Sequence, residues 1–252
     1  MSSSSVWFKC YTPAPAARVR LFCFPHAGGS ALSFRDWGAH LPGVEIVCVQ
    51  PPGREERIME TPPRSVTQAV DPMLAALGPW LDRPFAFFGH SLGTLHAYEL
   101  ARQLRERGAS GPTRLFVSAH RAPHLRPSRP TLHSLSDADF VAELRKLGGT
   151  PAPVLDTPEL LELVLPTIRA DLESTERYEW QPGPPLDCPF VAFGGVSDAR
   201  VDRPEIEAWR DQTSATFSSH FFPGGHFYLH EHAPTLLRLV RQGLPESAIA
   251  GP

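Results

Sequence analysis

The chain has 252 residues, of which 42% are hydrophobic, so it is long enough to bury the core of one large domain. Its formal net charge is −3 and the charges are scattered, which argues against a nucleic-acid partner, because such proteins concentrate basic residues on one face. The N-terminus lacks the apolar run of a signal peptide and no stretch reaches membrane-spanning length, so we expect a cytoplasmic protein without a membrane partner.

Short apolar strands alternate with helical patterns along the chain. This alternation is typical of an α/β fold with a mostly parallel sheet covered by helices on both faces. We expect a single domain over residues 1–252, with loose tails at 2–5 and 245–252. The predicted strands are 19–24, 44–49, 83–88, 114–118, 189–193 and 215–222, and the predicted helices are 34–41, 65–81, 92–107 and 227–243.

The strand that ends near residue 88 runs directly into Gly89-His90-Ser91-Leu92-Gly93 and then into a helix. This G-x-S-x-G pattern between a strand and a helix is the nucleophile elbow, a strained turn that thrusts the serine hydroxyl outward. Glycine is needed at both ends because a side chain would collide with the crowded backbone of the turn. Ser91 is therefore the predicted nucleophile; the alternative is a serine that only turns a corner.

A serine hydroxyl needs an adjacent base, and the base needs an acid that orients it, in the chain order Ser, Asp or Glu, His on this type of sheet. Among the eleven histidines, His226 is the predicted base, because it follows Pro223-Gly224-Gly225 in the loop between the last strand and the last helix. The alternative for it is a packing or capping role. Other histidines lie inside predicted elements: His90, His96, His220, His230 and His232.

Asp198 is the predicted acid, because it lies in the loop that follows the strand at 189–193. Ligand-facing residues of parallel sheets collect in such loops, beyond the carboxyl ends of the strands. Asp202 is the nearest competitor, and a capping aspartate is the alternative reading of Asp198.

The oxyanion hole requires two backbone N–H donors aimed at the developing negative charge. Leu92, directly after the nucleophile, supplies one predicted donor. Ala27 supplies the other, from the loop Pro25-His26-Ala27-Gly28-Gly29, whose glycines let the backbone approach a substrate closely. A plain glycine turn is the alternative for this loop, and His26 is read as a structural hydrogen bonder.

Two helices interrupt the alternation between residues 118 and 188. Ser136 and Asp139 form a capping pair that begins the first, and Gly148-Gly149 end it. Thr157 as N-cap and Pro158 open the second, which runs towards residue 178. We interpret residues 124–180 as a lid that lines an acyl pocket; the alternative is an ordinary helical hairpin packed on the core.

The four cysteines, Cys10, Cys23, Cys48 and Cys188, contain no C-x-x-C pair. Three of them lie in apolar, strand-like runs, so we expect buried free thiols in a reducing compartment and no metal site.

Taken together, the motifs at 24–29, 50–57, 88–93 and 223–229, with Leu165-Pro166-Thr167-Ile168-Arg169-Ala170-Asp171, resemble type II thioesterases of polyketide synthase and nonribosomal peptide synthetase pathways. The resemblance covers nearly the whole chain. It implies an α/β-hydrolase that removes aberrant or stalled acyl groups from the phosphopantetheine arm of acyl or peptidyl carrier proteins. It implies no cofactor, because the substrate carries the phosphopantetheine. Many relatives have paired acids where this chain has only Asp198 between Ser197 and Ala199.

Three other functions remain open on sequence: a carboxylesterase or lipase with the same triad, a cyclising terminal thioesterase, and a non-catalytic acyl-carrier-binding protein. The free-standing length argues against the second, and the complete triad against the third. Because carrier proteins are usually acidic, Arg121, Arg126 and Arg129 are the predicted docking residues; a solvated surface is the alternative. Arg54 is expected to pair with a carboxylate beside the active site, and we expect a monomer.

Overall fold

Seven strands form one sheet within residues 6–245, the part of the chain described by the structure, a computed structural model. The order across the sheet is β1-β3-β2-β4-β5-β6-β7. All neighbours are parallel except β1, which runs antiparallel to β3, so the predicted mostly parallel sheet is confirmed. The strands are β1 (Phe8–Lys9), β2 (Val19–Phe24), β3 (Val44–Val49), β4 (Phe85–His90), β5 (Leu115–Ser118), β6 (Phe190–Gly195) and β7 (Phe217–Phe222).

The central strands are buried along their whole length because helices cover both faces of the sheet. Every residue of β2 to β6 is buried, which explains why these strands are mostly apolar along their length and do not alternate; the buried charges Arg20 and Glu45 form an ion pair with each other. Side chains of successive residues point to opposite faces, and accordingly two large hydrophobic clusters form, one on each side. Sequence reasoning missed β1, because a two-residue strand carries no periodic pattern.

Nine α-helices lie within the described residues: α1 (Trp37–His40), α2 (Val66–Leu77), α3 (Leu92–Glu106), α4 (Asp137–Leu147), α5 (Ala152–Asp156), α6 (Pro158–Glu176), α7 (Arg203–Glu207), α8 (Tyr228–Glu231) and α9 (Ala233–Gly243). None of these helices combines the length and apolarity needed to cross a bilayer. The predicted tails, apart from residue 245, lie outside the described residues.

Two helix predictions at the edges of the sheet were wrong in their bounds. The expected helix at 34–41 is a 3-10 turn at Ala31–Phe34 followed by α1, because the Ser30 side chain accepts from the Leu32 N–H and starts the turn earlier. The expected closing helix at 227–243 is broken at His232 into α8 and α9. The second residue of α9 is Pro234, which has no N–H with which to continue the preceding helix.

The segment between β5 and β6 holds three α-helices, α4 to α6, where two were expected. The predicted cap of α4 is confirmed: Ser136 Oγ accepts from the Asp139 N–H at 3.2 Å, and Gly148 ends the helix at φ +77°. The predicted start of α6 is confirmed, with Thr157 at the N-cap and Pro158 as the first helical residue, but the Thr157 side chain makes no capping hydrogen bond. Its hydroxyl donates backwards to the Pro153 carbonyl at 2.8 Å, because the turns before it already form the short helix α5.

Candidate active site

The order of the strands brings the two glycine-containing loops together. β2 and β4 are neighbours, and the chain continues from β2 to β3 on one side and from β4 to β5 on the other. The loops that follow β2 and β4 therefore lie side by side at the carboxyl ends of these strands. The contact is close: a Cβ on Gly93 would lie 2.1 Å from the carbonyl oxygen of Phe24. The sheet therefore places residues 25–30 beside the elbow of Ser91.

Ser91 occupies a strained turn between β4 and α3. Its backbone lies at φ +54° and ψ −121°, a conformation that residues with a side chain rarely adopt. A Cβ on Gly89 would lie 2.3 Å from the Gly93 carbonyl oxygen, so both glycines are sterically required. The turn is held by the Ser91 N–H, which donates to the Ser118 carbonyl on β5 at 2.8 Å.

The loops after β6 and β7 bring an acid and a base to this serine. His226 Nε2 lies 3.0 Å from Ser91 Oγ, and His226 Nδ1 lies 2.8 Å from Asp198 Oδ2. The Asp198 side chain is only 1% exposed, and its second oxygen accepts from the Arg200 N–H at 2.8 Å. This is the arrangement by which a carboxylate orients an imidazole that can take a proton from a hydroxyl.

The competitor of Asp198 has a different role. The Asp202 side chain accepts from the Glu205 N–H at 3.0 Å, and Glu205 reaches back to the Asp202 N–H, so the pair forms a capping box on α7. Asp202 therefore caps the N-terminus of α7, and Asp198 is the carboxylate that lies within hydrogen-bond distance of His226.

The two predicted oxyanion donors flank the serine. Leu92 is the first residue of α3, where N–H groups have no acceptor within their own helix. Ala27 lines the same cavity as Ser91 and His226. Neither N–H is paired with an acceptor in the described part of the chain. Both are thus available to a substrate oxygen.

Several buried histidines surround the site without reaching Ser91. Burial lowers the pKa of His26, His96 and His120 to about 3 and lowers that of His90 well below its ordinary value. These imidazoles are therefore neutral near pH 7. His90 Nδ1 lies 2.8 Å from Ser118 Oγ, which in turn lies 2.6 Å from the Tyr228 hydroxyl. These two hydrogen bonds connect the elbow to α8, the helix that follows His226.

Two mostly apolar cavities meet at Ser91 and His226, and they differ in that only the second is lined by arginine and glutamate side chains. The first is apolar, and α4, α6 and the residue after His226 supply its walls: Leu144, Leu147, Ile168, Leu172 and Phe227. The second contains polar and charged groups, among them Arg121, Arg129, Arg200 and Glu176. Of the arginines predicted for docking, Arg126 is exposed and does not line the second cavity. Arg200 and Glu176 escaped sequence reasoning, because only the fold brings α6 over the loop that carries Asp198.

The expectation that Arg54 pairs with a carboxylate is confirmed. Arg54 Nη2 lies 2.6 Å from Asp171 Oδ2 on α6, and both side chains are buried. Buried free thiols are also confirmed for Cys23, Cys48 and Cys188. Within residues 6–245, no group of three or more His, Cys, Asp or Glu side chains is arranged to hold a metal ion.

Comparison with known proteins adds to this geometry. Residues 19–244 match the family described as "Thioesterase domain". The chain is 40% identical to the thioesterase PikA5 of Streptomyces venezuelae, over 99% of this chain and 91% of that protein. It is also 40% identical to the gramicidin S biosynthesis protein GrsT of Aneurinibacillus migulanus, over 92% and 91%. Among solved structures, it resembles the type II thioesterase BorB from the borrelidin biosynthetic cluster, with a TM-score of 0.88, 40% identity, and coverage of 97% of this chain and all of that one.

Proposed function

The chain belongs to the thioesterase domain family, within it to the type II thioesterases of polyketide and nonribosomal peptide pathways, and we propose that it removes acyl groups from the phosphopantetheine arm of carrier proteins. The observation that carries the proposal is the bridge by His226 between Ser91 Oγ and the buried Asp198 carboxylate. Relatives named for antibiotic biosynthesis support carrier-bound acyl groups as the substrate class.

The first half of the reaction forms an acyl-enzyme. Ser91 Oγ attacks the thioester carbonyl carbon while His226 Nε2 takes the hydroxyl proton, and Asp198 stabilises the imidazolium that results. The carbonyl oxygen becomes an oxyanion that accepts from the Ala27 and Leu92 N–H groups. The carbon–sulfur bond then breaks, and His226 returns its proton to the departing pantetheine sulfur.

The second half regenerates the enzyme. Water replaces the thiol beside His226, which takes a proton from it as the water oxygen attacks the ester of Ser91. The same two N–H groups bind the second oxyanion. Collapse releases the free acid and returns the proton to Ser91 Oγ, so that the net reaction consumes one water and yields an acid and a thiol.

The two cavities suggest how the substrate lies. The apolar cavity between α4, α6 and Phe227 takes the acyl chain, because burial of a hydrocarbon chain is favourable there. The cavity with Arg121, Arg129 and Arg200 takes the polar pantetheine arm. In this arrangement α4 to α6 form a lid on a single catalytic domain, and the lid supplies walls to both cavities.

The test uses carrier protein loaded with a panel of acyl groups, with release followed by intact mass, beside the matching oxygen esters. We expect faster release from the thioester, because a thiol with a pKa of about 8.5 leaves far more easily than an alkoxide. The control variant Ser91→Ala should lower kcat by about 10⁴-fold or more. Equal or better turnover of the oxygen ester would favour a carboxylesterase, and unchanged activity of Ser91→Ala would reject the nucleophile.

We also propose that the carrier docks on the segment that leads from β5 to the lid. Arg126 is exposed, and its neighbour Pro127 lines the cavity assigned to the arm. Charge reversal by Arg126→Glu should raise KM for acyl-carrier substrate several-fold, because rim charges steer acidic partners, and leave a small acyl-pantetheine unaffected.

Arg107→Glu is the matched control for docking. Arg107 is also exposed, but it follows the far end of α3, about 22 Å from the elbow at 1.5 Å per residue. It should alter neither substrate's KM. Equal effects of Arg126→Glu on both substrates would reject the docking face.

A further inference from the structure

Helix α6 is attached to the two loops that flank the candidate oxyanion hole. Thr167 Oγ1 donates to the Gly53 carbonyl at 2.9 Å, and Asp171 Oδ2 accepts from the Gly28 N–H at 2.8 Å. Ile168 packs directly on Gly28, where an added Cβ would lie 2.8 Å from Ile168 Cγ1. Positions 167, 168 and 171 lie on one face of the helix, so this face is directed at the loops and not at solvent.

Asp171 joins that face to a buried arginine. Its Oδ2 accepts from Arg54 Nη2 at 2.6 Å, and the two side chains are 5% and 8% exposed. Burial raises the pKa of Asp171, while the Arg54 guanidinium and the Gly28 N–H act in the opposite direction and favour the carboxylate. Because a buried ion pair adds little to stability compared with apolar side chains of similar volume, stability alone gives no reason for placing it here.

The Gly28 N–H, from which Asp171 accepts, belongs to the middle peptide of a tight turn. The Gly29 N–H donates to the His26 carbonyl at 2.9 Å, which closes a four-residue turn with Ala27 and Gly28 at its centre. Gly28 has a φ of +78°, the value of the third residue in a type II turn. In the type I form this peptide is flipped, and ψ of Ala27 and φ of Gly28 both change. A flipped peptide would direct the Ala27 carbonyl oxygen at the Asp171 carboxylate, and the two would repel.

We propose that Asp171, supported by Arg54, is a positioning residue. Through the Gly28 N–H it holds the Ala27–Gly28 peptide against α6, and this anchor fixes the place of Ala27, whose own N–H belongs to the preceding peptide and binds the oxyanion. The inference rests on the proposed function only through the roles of Ser91 and the Ala27 N–H. The proposal also gives the Gly53-Arg54-Glu55 motif a role. Arg54 holds the Asp171 carboxylate. Glu55 Oε1 accepts from Ser30 Oγ at 3.2 Å, at the other end of the loop that follows β2.

The test compares Asp171→Asn with the wild-type protein on an activated oxygen ester of a short acid, which requires no carrier. Asparagine keeps the size of the side chain but removes the charge that faces the turn and Arg54. We expect kcat to fall about tenfold to a hundredfold, since complete loss of one oxyanion donor costs about a hundredfold or more. KM should change by less than about twofold, because the turn acts on the transition state.

A second readout separates positioning from general damage to the fold. A trifluoromethyl ketone analogue of the acyl group adds to Ser91: the Oγ–carbon bond forms, the proton moves to His226, and the ketone oxygen becomes the anion. Its affinity should fall by the same factor as kcat in Asp171→Asn, whereas the affinity for an uncharged amide analogue stays unchanged. Glu173→Gln is the matched control: Glu173 also lies on α6 and pairs with Arg64 and Arg177, but it does not touch the turn.

Unchanged kcat in Asp171→Asn overturns the inference, and so does a fall in kcat without loss of inhibitor affinity. If Asp171→Asn does not fold, as judged by circular dichroism, Arg54→Lys decides by the same two readouts, because lysine keeps the charge but loses the planar fork of donors. In Arg54→Lys we expect a smaller fall in kcat and in the affinity for the ketone than in Asp171→Asn. Unchanged values of both would overturn the inference. Failure of the proposed function is distinguishable: the wild-type protein would hydrolyse the ester and bind the ketone but release nothing from the carrier.

Discussion

The two N–H groups assigned to the oxyanion hole are held by different kinds of structure. Leu92 follows Ser91 directly, in a turn whose glycines lie against backbone atoms: Gly89 packs on Gly93, and Gly93 packs on Phe24. Ala27 lies in a turn whose middle peptide is held by Asp171, 143 residues from Gly28 along the chain. One donor is therefore positioned by close packing of backbone on backbone, and the other by a side-chain contact from the lid segment.

This difference predicts which kinds of substitution disturb the elbow and which disturb the turn at 26–29. The elbow tolerates no added atom, because its glycines face backbone that has no freedom to move. The turn at 26–29 has an alternative conformation of its own, so it depends on the side chain that selects between the two. Substitutions at the elbow should act through the backbone, and substitutions near the turn should act through charge and hydrogen bonding.

The largest effect is expected from Gly93→Ala, which disturbs both donors at once. The new Cβ would lie 2.1 Å from the Phe24 carbonyl oxygen and 2.7 Å from that of Pro25, so either α3 or the start of the oxyanion loop must shift. We expect kcat/KM to fall about 10³-fold or more, together with a lower melting temperature. Steady-state kinetics and thermal unfolding of the purified variant measure both.

Gly78→Ala is the control for that substitution, because no atom beyond its chain neighbours and its own helix backbone lies within 4 Å of the added Cβ. It should leave kcat/KM and the melting temperature near their wild-type values. A Gly93→Ala variant as active as Gly78→Ala would contradict the rigid elbow and remove the contrast between the two donors.

A smaller effect is expected from acid, which acts on the buried neutral imidazoles of His26, His96 and His120. In the folded protein His26, His96 and His120 have a pKa of about 3, whereas the unfolded chain takes up these protons below about 6.5. Between these values the unfolded state binds more protons, so the free energy of unfolding should fall as the pH falls. Each histidine contributes up to about 1.4 kcal/mol per pH unit.

Urea unfolding at a series of pH values between about 6.5 and 4 measures this slope. His96→Leu removes one titrating group behind the elbow and should reduce the slope by about 1.4 kcal/mol per pH unit. Hydrogen exchange in the same series should show the amides of 26–29 opening before those of the elbow. An unchanged slope in His96→Leu would show that this imidazole does not resist protonation, and simultaneous opening would remove the distinction between the two regions.

Much of the fold and of the site was predictable because the sequence patterns that specify them lie within short stretches of the chain. The strand, the elbow and the helix that surround Ser91 are consecutive in sequence, and His226 and Asp198 each follow a buried strand directly. The errors came where no local signal exists. A two-residue β1 has no periodicity, Pro234 divided a helix whose apolar pattern runs on, and α5 fits into five residues beside prolines.

The sequence by itself determined the α/β class, the order of the longer strands and helices, and the three residues proposed for catalysis, because hydrophobic periodicity and glycine-bounded turns are local properties of the chain. Only the tertiary structure decided which carboxylate meets Arg54, which arginines line the cavity beside Ser91, and how the turn at Ala27 is held. These depend on α6 packing against loops that are distant in sequence, by more than a hundred residues for Gly28 and Arg54, and such pairings leave no pattern in any one stretch of sequence.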